Sequence, residues 1–160
     1  MLVEMTIRGL MIDPATNMPI VVLRDANNQR VLPIWVGPVE ANAIAMQIEN
    51  IAPPRPMTHD LLRHLVTELG ANLERVVITE LRDNTFYAYL ELRRGDETIL
   101  VDSRPSDALA LSIRTRARIY VHARVLDQAR SIDLSTDTAD QERLQRWLES
   151  LDPDDLGYKM

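Results

Sequence analysis

The sequence predicts an α+β domain built from two pseudo-repeated βββα units that share one core, followed by a C-terminal accessory helix. Three observations lead there. Strand-like runs rich in β-branched residues come in triplets, and each triplet ends in a helix opened by proline. The two halves also match: V-G-P-V-E-A-N-A-I-A-M at 36–46 falls on S-R-P-S-D-A-L-A-L-S-I at 103–113 at an offset of 67. Pro38 lands on Pro105, Glu40 on Asp107, Ala41 on Ala108 and Ala43 on Ala110. Finally, 160 residues with 46% apolar content suffice for one domain with a real core and are too few for two ordinary ones.

Residues 3–12 read as a strand, 13–17 as a loop carrying Pro14, and 19–24 as a second strand. Asn27-Asn28 marks a hairpin turn into a third strand over 30–36. Gly37-Pro38 serves the bend into a helix that runs to about Ile51, with Ala41, Ile44, Ala45 and Ile48 on its apolar face and Pro53-Pro54 as its stop. A second helix starts at a Thr58 cap and stops at Gly70. Strands over 73–81, 86–92 and 98–102 are separated by turns at Asp83-Asn84 and Gly95-Asp96. The turn at Asn28 falls on Gly95 at the same offset of 67, while the first strands, ending in Asp13 and Asp83, match at 70. Stacked repeat units of this kind bury one shared core. A helix over 106–115 and a short strand over 119–121 close the domain, which is assigned to 1–131. Residues 132–160 form an acidic linker and tail around an amphipathic helix at 136–151, with Leu144, Trp147, Leu148 and Leu151 at helical spacing.

Several chemistries are excluded. The chain has no cysteine, hence no disulfide scaffold, thiolate nucleophile or cysteine-ligated zinc, and this composition fits the cytoplasm. No run of about 18 apolar residues could span a membrane, and the N-terminus lacks the basic and apolar regions of a signal peptide. There is no phosphate loop, dinucleotide fingerprint, zinc-protease helix or nucleophile elbow. Phe86, Tyr87 and Tyr89 share one strand and divide between core and surface rather than forming a stacking platform.

The net charge of −6 argues against a nonspecific nucleic-acid coat, but it is unevenly placed. Residues 131–160 carry −5 and residues 1–130 only −1, within which 103–130 holds six arginines against two aspartates. Arginine supplies every positive side chain except Lys159, which suits bidentate phosphate contacts.

Two helix starts concentrate the polar chemistry. In D-S-R-P-S-D-A-L-A-L at 102–111, Pro105 takes the first helical turn, Ser106 or Ser103 can cap, and Asp107 faces the positive end of the helix dipole beside Arg104. P-R-P-M-T-H-D-L at 54–61 repeats the recipe with Arg55, Thr58, His59 and Asp60. Such a terminus is a ready anion site, so Arg104, Arg55, Ser106 and Thr58 are the candidate phosphate-binding residues. Asp107, Asp60, His59 and Glu40 are the candidate catalytic set. Together with Asp102 these acids could hold Mg²⁺ or Mn²⁺ through oxygen ligands and water. Read without function, the same hydroxyls are caps and the same arginines are partners of neighbouring acids. His64 then makes an ordinary i,i+4 contact with Asp60, and His122 is structural.

R-P-S-D-A-L-A-L at 104–111, P-R-P-M-T-H-D-L at 54–61 and L-P-I-W-V-G-P-V-E-A at 32–41 together resemble the bifunctional nuclease domain family of bacteria and plants, over about residues 3–129. The resemblance implies a nuclease acting on RNA or DNA phosphodiesters; the acids at the helix starts add assistance by a divalent cation, the apolar helix faces a homodimer, and the absence of cysteine and of a long apolar run a cytoplasmic protein without membrane attachment. The rival expectation is a noncatalytic regulatory module whose corners hold a phosphate-bearing ligand or a partner carboxylate. A third is an oligomerisation domain with internal ion pairs.

Overall fold

A computed structural model describes residues 1–27, 30–129 and 132–133. Its elements run β1 (Leu2–Ile12), β2 (Pro19–Asp25), β3 (Arg30–Trp35), α1 (Pro38–Ile48), α2 (Thr58–Glu68), β4 (Asn72–Arg82), β5 (Thr85–Arg94), β6 (Glu97–Ser103), α3 (Pro105–Thr115), β7 (Arg118–His122), α4 (Ala123–Gln128) and the two-residue β8 (Ile132–Asp133). The order βββα occurs in both halves, and the fold is α+β. The hairpin position Asn28 and the amphipathic stretch 136–151 with its acidic tail lie outside the described residues.

All strands join one sheet in the order β6-β5-β4-β7-β1-β2-β3-β8. Two antiparallel meanders, β1-β2-β3 and β4-β5-β6, meet through β7, which runs antiparallel to β1 and parallel to β4. The β4–β5 hairpin turns on Asp83 and Asn84, both with positive φ (52° and 59°), the conformation that a two-residue hairpin with the strands' own twist demands. Along β2 and β3 the buried residues are consecutive (Ile20 to Leu23, Val31, Leu32, Ile34, Trp35), so both faces of that half are covered. β6, at the sheet edge, leaves Leu100 and Val101 exposed.

The core joins Leu23, Ile34, Ile44, Val76, Ile78, Leu109, Leu111, Val121 and Leu126. Helix α3 is its centre, packing on α1, α2, β4, β5 and β7. Every residue of α3 from Ala108 to Ser112 is buried.

Three helix boundaries differ from the expectation. α1 ends at Ile48 instead of Ile51 because Asn50 turns left-handed (φ 56°), and the amides of Asn50 and Ile51 bond back to the Gln47 and Met46 carbonyls. Its buried face is Ala41, Ala43 and Ile44, while Ile48 is exposed. The N-cap of α2 is Met57, not Thr58; Asp60 at the third helical position accepts the Met57 amide at 3.0 Å. At α3 neither serine caps: Ser103 Oγ donates to the Arg104 carbonyl, and Ser106 is buried. The short helix α4, unforeseen in the sequence, is capped by His122, whose ring nitrogen Nδ1 accepts the Arg124 amide at 3.3 Å.

Candidate functional site

α1 and α3 begin alike. Pro38 and Pro105 occupy the first helical position, and Glu40 and Asp107 the third, where a carboxylate is favoured by the unpaired amides of the first turn. At α1 the Glu40 carboxylate folds back over Gly37 so closely that a Cβ there would collide with it. Gly37 itself is in ordinary extended conformation (φ −68°, ψ 156°), so the bend does not require glycine, and a side chain there would displace the Glu40 carboxylate.

Arg104, the N-cap of α3, bridges the two helix starts. Its Nη2 donates to Glu40 Oε1 at 2.7 Å and its Nε to Asp107 Oδ2 at 2.9 Å. The second oxygen of Asp107 lies 2.9 Å from His59 Nε2, on the first turn of α2. One chain of contacts, Glu40–Arg104–Asp107–His59, thus links the starts of three helices, including both proline–arginine corners.

Burial alone would raise the Asp107 pKa, but the hydrogen bonds from Arg104 and His59, and their charges, hold it below its ordinary value of 3.8. The same two carboxylates raise the Arg104 pKa further. Asp107 is therefore an anion that only accepts, and the proton in its bond to His59 belongs to Nε2. A neutral imidazole held this way presents Nδ1 as its proton acceptor.

Asp60 faces elsewhere. Its Oδ1 accepts from Arg114 Nε at 2.8 Å, while Oδ2 holds the Met57 amide. Burial opposes ionisation of Asp60, yet the Met57 amide and Arg114 bring its pKa down overall. Arg114 is the residue that the sequence reading counted only as charge. Its side chain is 3% exposed, and Nη1 and Nη2 also donate to the carbonyls of Ala110 and Ala43 at 2.8 and 2.9 Å. It ties α1, α2 and α3 together, holding the residue that follows His59. A signal for it existed: position 114 follows the buried Ala110 by one helical turn, and an arginine on a buried face requires an acid partner.

The remaining candidates divide. Arg55 and Thr58 are exposed, and Arg55 makes no hydrogen bond or ion pair with any described residue. Ser106 is 1% exposed, and its Oγ finds no hydrogen-bond partner among the described residues, so it offers no open hydroxyl at the corner. Asp102 is exposed on β6, apart from these contacts. Among the described residues no three His, Asp or Glu side chains group so as to hold a metal ion. Glu40 and Asp107 turn their oxygens to the Arg104 guanidinium between them, so this donor set does not fit a divalent cation as arranged.

With Arg114 and Asp60 neutralising each other, Glu40, Asp107 and Arg104 sum to one negative charge when His59 is neutral. Arg55, exposed in the loop that precedes α2, carries a charge that no described residue neutralises. Arg104 still has three N–H donors beyond the two bound to carboxylates, and its side chain is 51% exposed.

A family model described as bifunctional nuclease domain matches residues 21–133. The chain is 40% identical to an uncharacterised protein of Mycobacterium tuberculosis over 96% of its own length and 97% of that protein's. It is 28% identical to bifunctional nuclease 1 of Oryza sativa subsp. indica and 25% identical to bifunctional nuclease 1 of Arabidopsis thaliana, over 71% of this chain in each case. These matches cover only 35% and 36% of the plant proteins.

Proposed function

Because the chain belongs to the bifunctional nuclease domain family, we propose that it is a nuclease acting on RNA or DNA phosphodiester bonds at the joined helix starts. The observation that carries this reading is the 2.9 Å contact of His59 with Asp107, which couples the two proline–arginine corners. Arg104 and Arg55 take the phosphate oxygens, Arg104 through its spare donors and Arg55 as the uncommitted cation. His59 Nδ1 takes or returns the proton of the attacking or leaving oxygen, while Asp107 fixes the ring and stabilises its charged form. Glu40 holds Arg104 in place. The names of the plant relatives and the helix-terminus chemistry support phosphodiesters as the substrate class. The protein works in the cytoplasm as a homodimer, for which the cysteine-free sequence and the exposed apolar face of α2 are the supporting features.

The internal pairing of Arg104 with two acids favours a second reading, a noncatalytic module in which the same cluster clasps three helices. One experiment separates the two. End-labelled RNA and single-stranded DNA are incubated with the wild type, His59→Asn and Asp107→Asn, in Mg²⁺, in Mn²⁺ and in EDTA. Melting temperature is followed in parallel. The nuclease reading expects cleavage that falls by about 10²-fold or more in His59→Asn, the usual scale of a general acid–base group, in protein that is still folded at the assay temperature. No cleavage by the wild type under any of the three conditions would refute it and leave the clasp. A requirement for Mg²⁺ or Mn²⁺ would show that a divalent cation assists the cleavage.

A further inference from the structure

The far end of α3 carries a second basic feature. α1, α2 and α3 each end near a residue in the left-handed conformation: Asn50 (φ 56°), Gly70 (φ 76°) and Arg116 (φ 61°). Asparagine and glycine are the residues that this conformation favours; arginine, with a long side chain and a Cβ, is not. Arg116 lines two adjoining cavities of about 410 and 540 Å³, which share Asn72, Leu73, Thr115 and Arg116 in their walls. Arg63 of α2 lines the first, and Arg118 and Tyr120 of β7 line the second.

The charges there are not spent in the way those around Arg104 are. The guanidinium groups of Arg63 and Arg116 make no hydrogen bond or ion pair with any described residue. Arg118 reaches Glu4 only at 3.9 Å and has its side chain 71% exposed. Glu91 is already bound by Arg75 at 2.9 Å, and Arg75 lies over the Tyr120 ring, 5.4 Å from its centroid. Glu74 is the remaining acid on the wall. Two unpaired guanidinia, with Arg118 held only loosely by Glu4 and Tyr120, against the one wall carboxylate Glu74 make a cationic groove on a protein whose net charge is −6.

We propose that this groove is a second anion site, separate from the Arg104 cluster, which takes phosphate groups on Arg63, Arg116 and Arg118. From Arg104 to Arg116 the chain advances twelve residues at ~1.5 Å each, roughly 18 Å, so one site cannot serve both ends of the helix. The phosphate comes either from a nucleic-acid strand whose scissile bond lies at the Arg104 end or from a free nucleotide or phosphate ion. The strand source rests on the nuclease reading; the anion site itself does not.

The test uses Arg116→Gly and Arg63→Gln in the full chain. Glycine suits the left-handed position, so Arg116→Gly removes the guanidinium with the melting temperature unchanged or raised. Arg63→Gln changes an exposed helix position. Arg94→Gln, in the pair with Glu97 at the β5–β6 turn, is the control. Binding of a fluorescent 12-nucleotide RNA is followed by anisotropy at 4 °C in EDTA, with strand integrity checked afterwards, and inorganic phosphate and AMP are titrated by calorimetry. Weakening of the 12-mer by about tenfold or more in each variant, with a salt dependence about one unit shallower, assigns the groove to a strand. Phosphate or AMP binding that the two variants alone lose, with the 12-mer unaffected, assigns it to a small anion. If both variants bind all three probes as the wild type and the control do, the site does not exist. Loss of cleavage in His59→Asn with groove binding intact bears on the nuclease reading alone.

Discussion

Arg104 and Arg114 both hold acids from other elements, but the Arg104 side chain is 51% exposed and the Arg114 side chain 3%. Water screens the first pair, so its contribution to stability is ~0–1 kcal/mol. Removing the second would leave Asp60 as an uncompensated charge and two carbonyls without donors, a loss of ~3–5 kcal/mol. Arg114→Met is therefore expected to lower the melting temperature by ~6–20 °C, at the ~2–4 °C per kcal/mol typical of this chain length, and Arg104→Ala by no more than ~4 °C. On the proposed function Arg104→Ala nevertheless reduces cleavage the more per folded molecule. Scanning calorimetry beside a cleavage assay checks both, and similar melting losses in the two variants would contradict the division of labour. The sequence made Arg104 visible through its proline and aspartate neighbours. Arg114 was hidden because its acid lies 54 residues away, and only the packing of α2 on α3 shows the pair.

Helix α2 behaves differently from its neighbours. His59 is its one buried residue, while Leu61, Leu65 and Leu69 are 52%, 49% and 68% exposed on positions that share one face. It is held by its N-terminal contacts more than by an apolar stripe. If a second copy covers that face, Leu65→Glu leaves the melting temperature of dilute protein nearly unchanged and converts dimer to monomer. Light scattering at micromolar concentration reads the result, and a wild type that is monomeric there would remove the dimer. The starts of α1 and α3 were legible because proline and an acid two residues later define the helix register whatever the surroundings. The end of α1 was not, since Asn50 stops the helix before the conspicuous Pro53-Pro54 pair is reached. The Thr58 cap failed for a related reason. The Asp60 side chain satisfies the Met57 amide, so the first turn closes one residue earlier than a hydroxyl cap would set it.

Across the whole molecule, Asp13, Asp60 and Asp107 all have pKa values below the ordinary 3.8. For Asp13 burial acts in the opposite direction, and bonds from Trp35, Ala15 and Thr16 outweigh it. Near and below pH 3.8 the unfolded chain binds more protons than the folded one, so stability falls as pH falls. The stabilisation is complete above about pH 5 and is lost as each carboxylate protonates through its folded value. Denaturant unfolding between pH 3 and 7 should show that decline, with Asp107→Asn flattening it; a profile level down to pH 3 would contradict the pairing. The triplets of strands and the two proline-opened helices could be read in advance because turn residues and alternation are local signals. The sheet order could not, since strand pairing joins segments far apart in the chain. That order has a consequence for biosynthesis. β7 sits at the middle of the sheet yet leaves the ribosome last of the seven longer strands, and Leu2 must wait for His122 to gain its partner. Until then each meander shows a bare edge, β1 on one and β4 on the other, open to strand addition by a neighbouring nascent chain. Contacts this non-local make for slow folding, so a chain cut short before residue 118 would be two sticky half-sheets rather than a smaller domain.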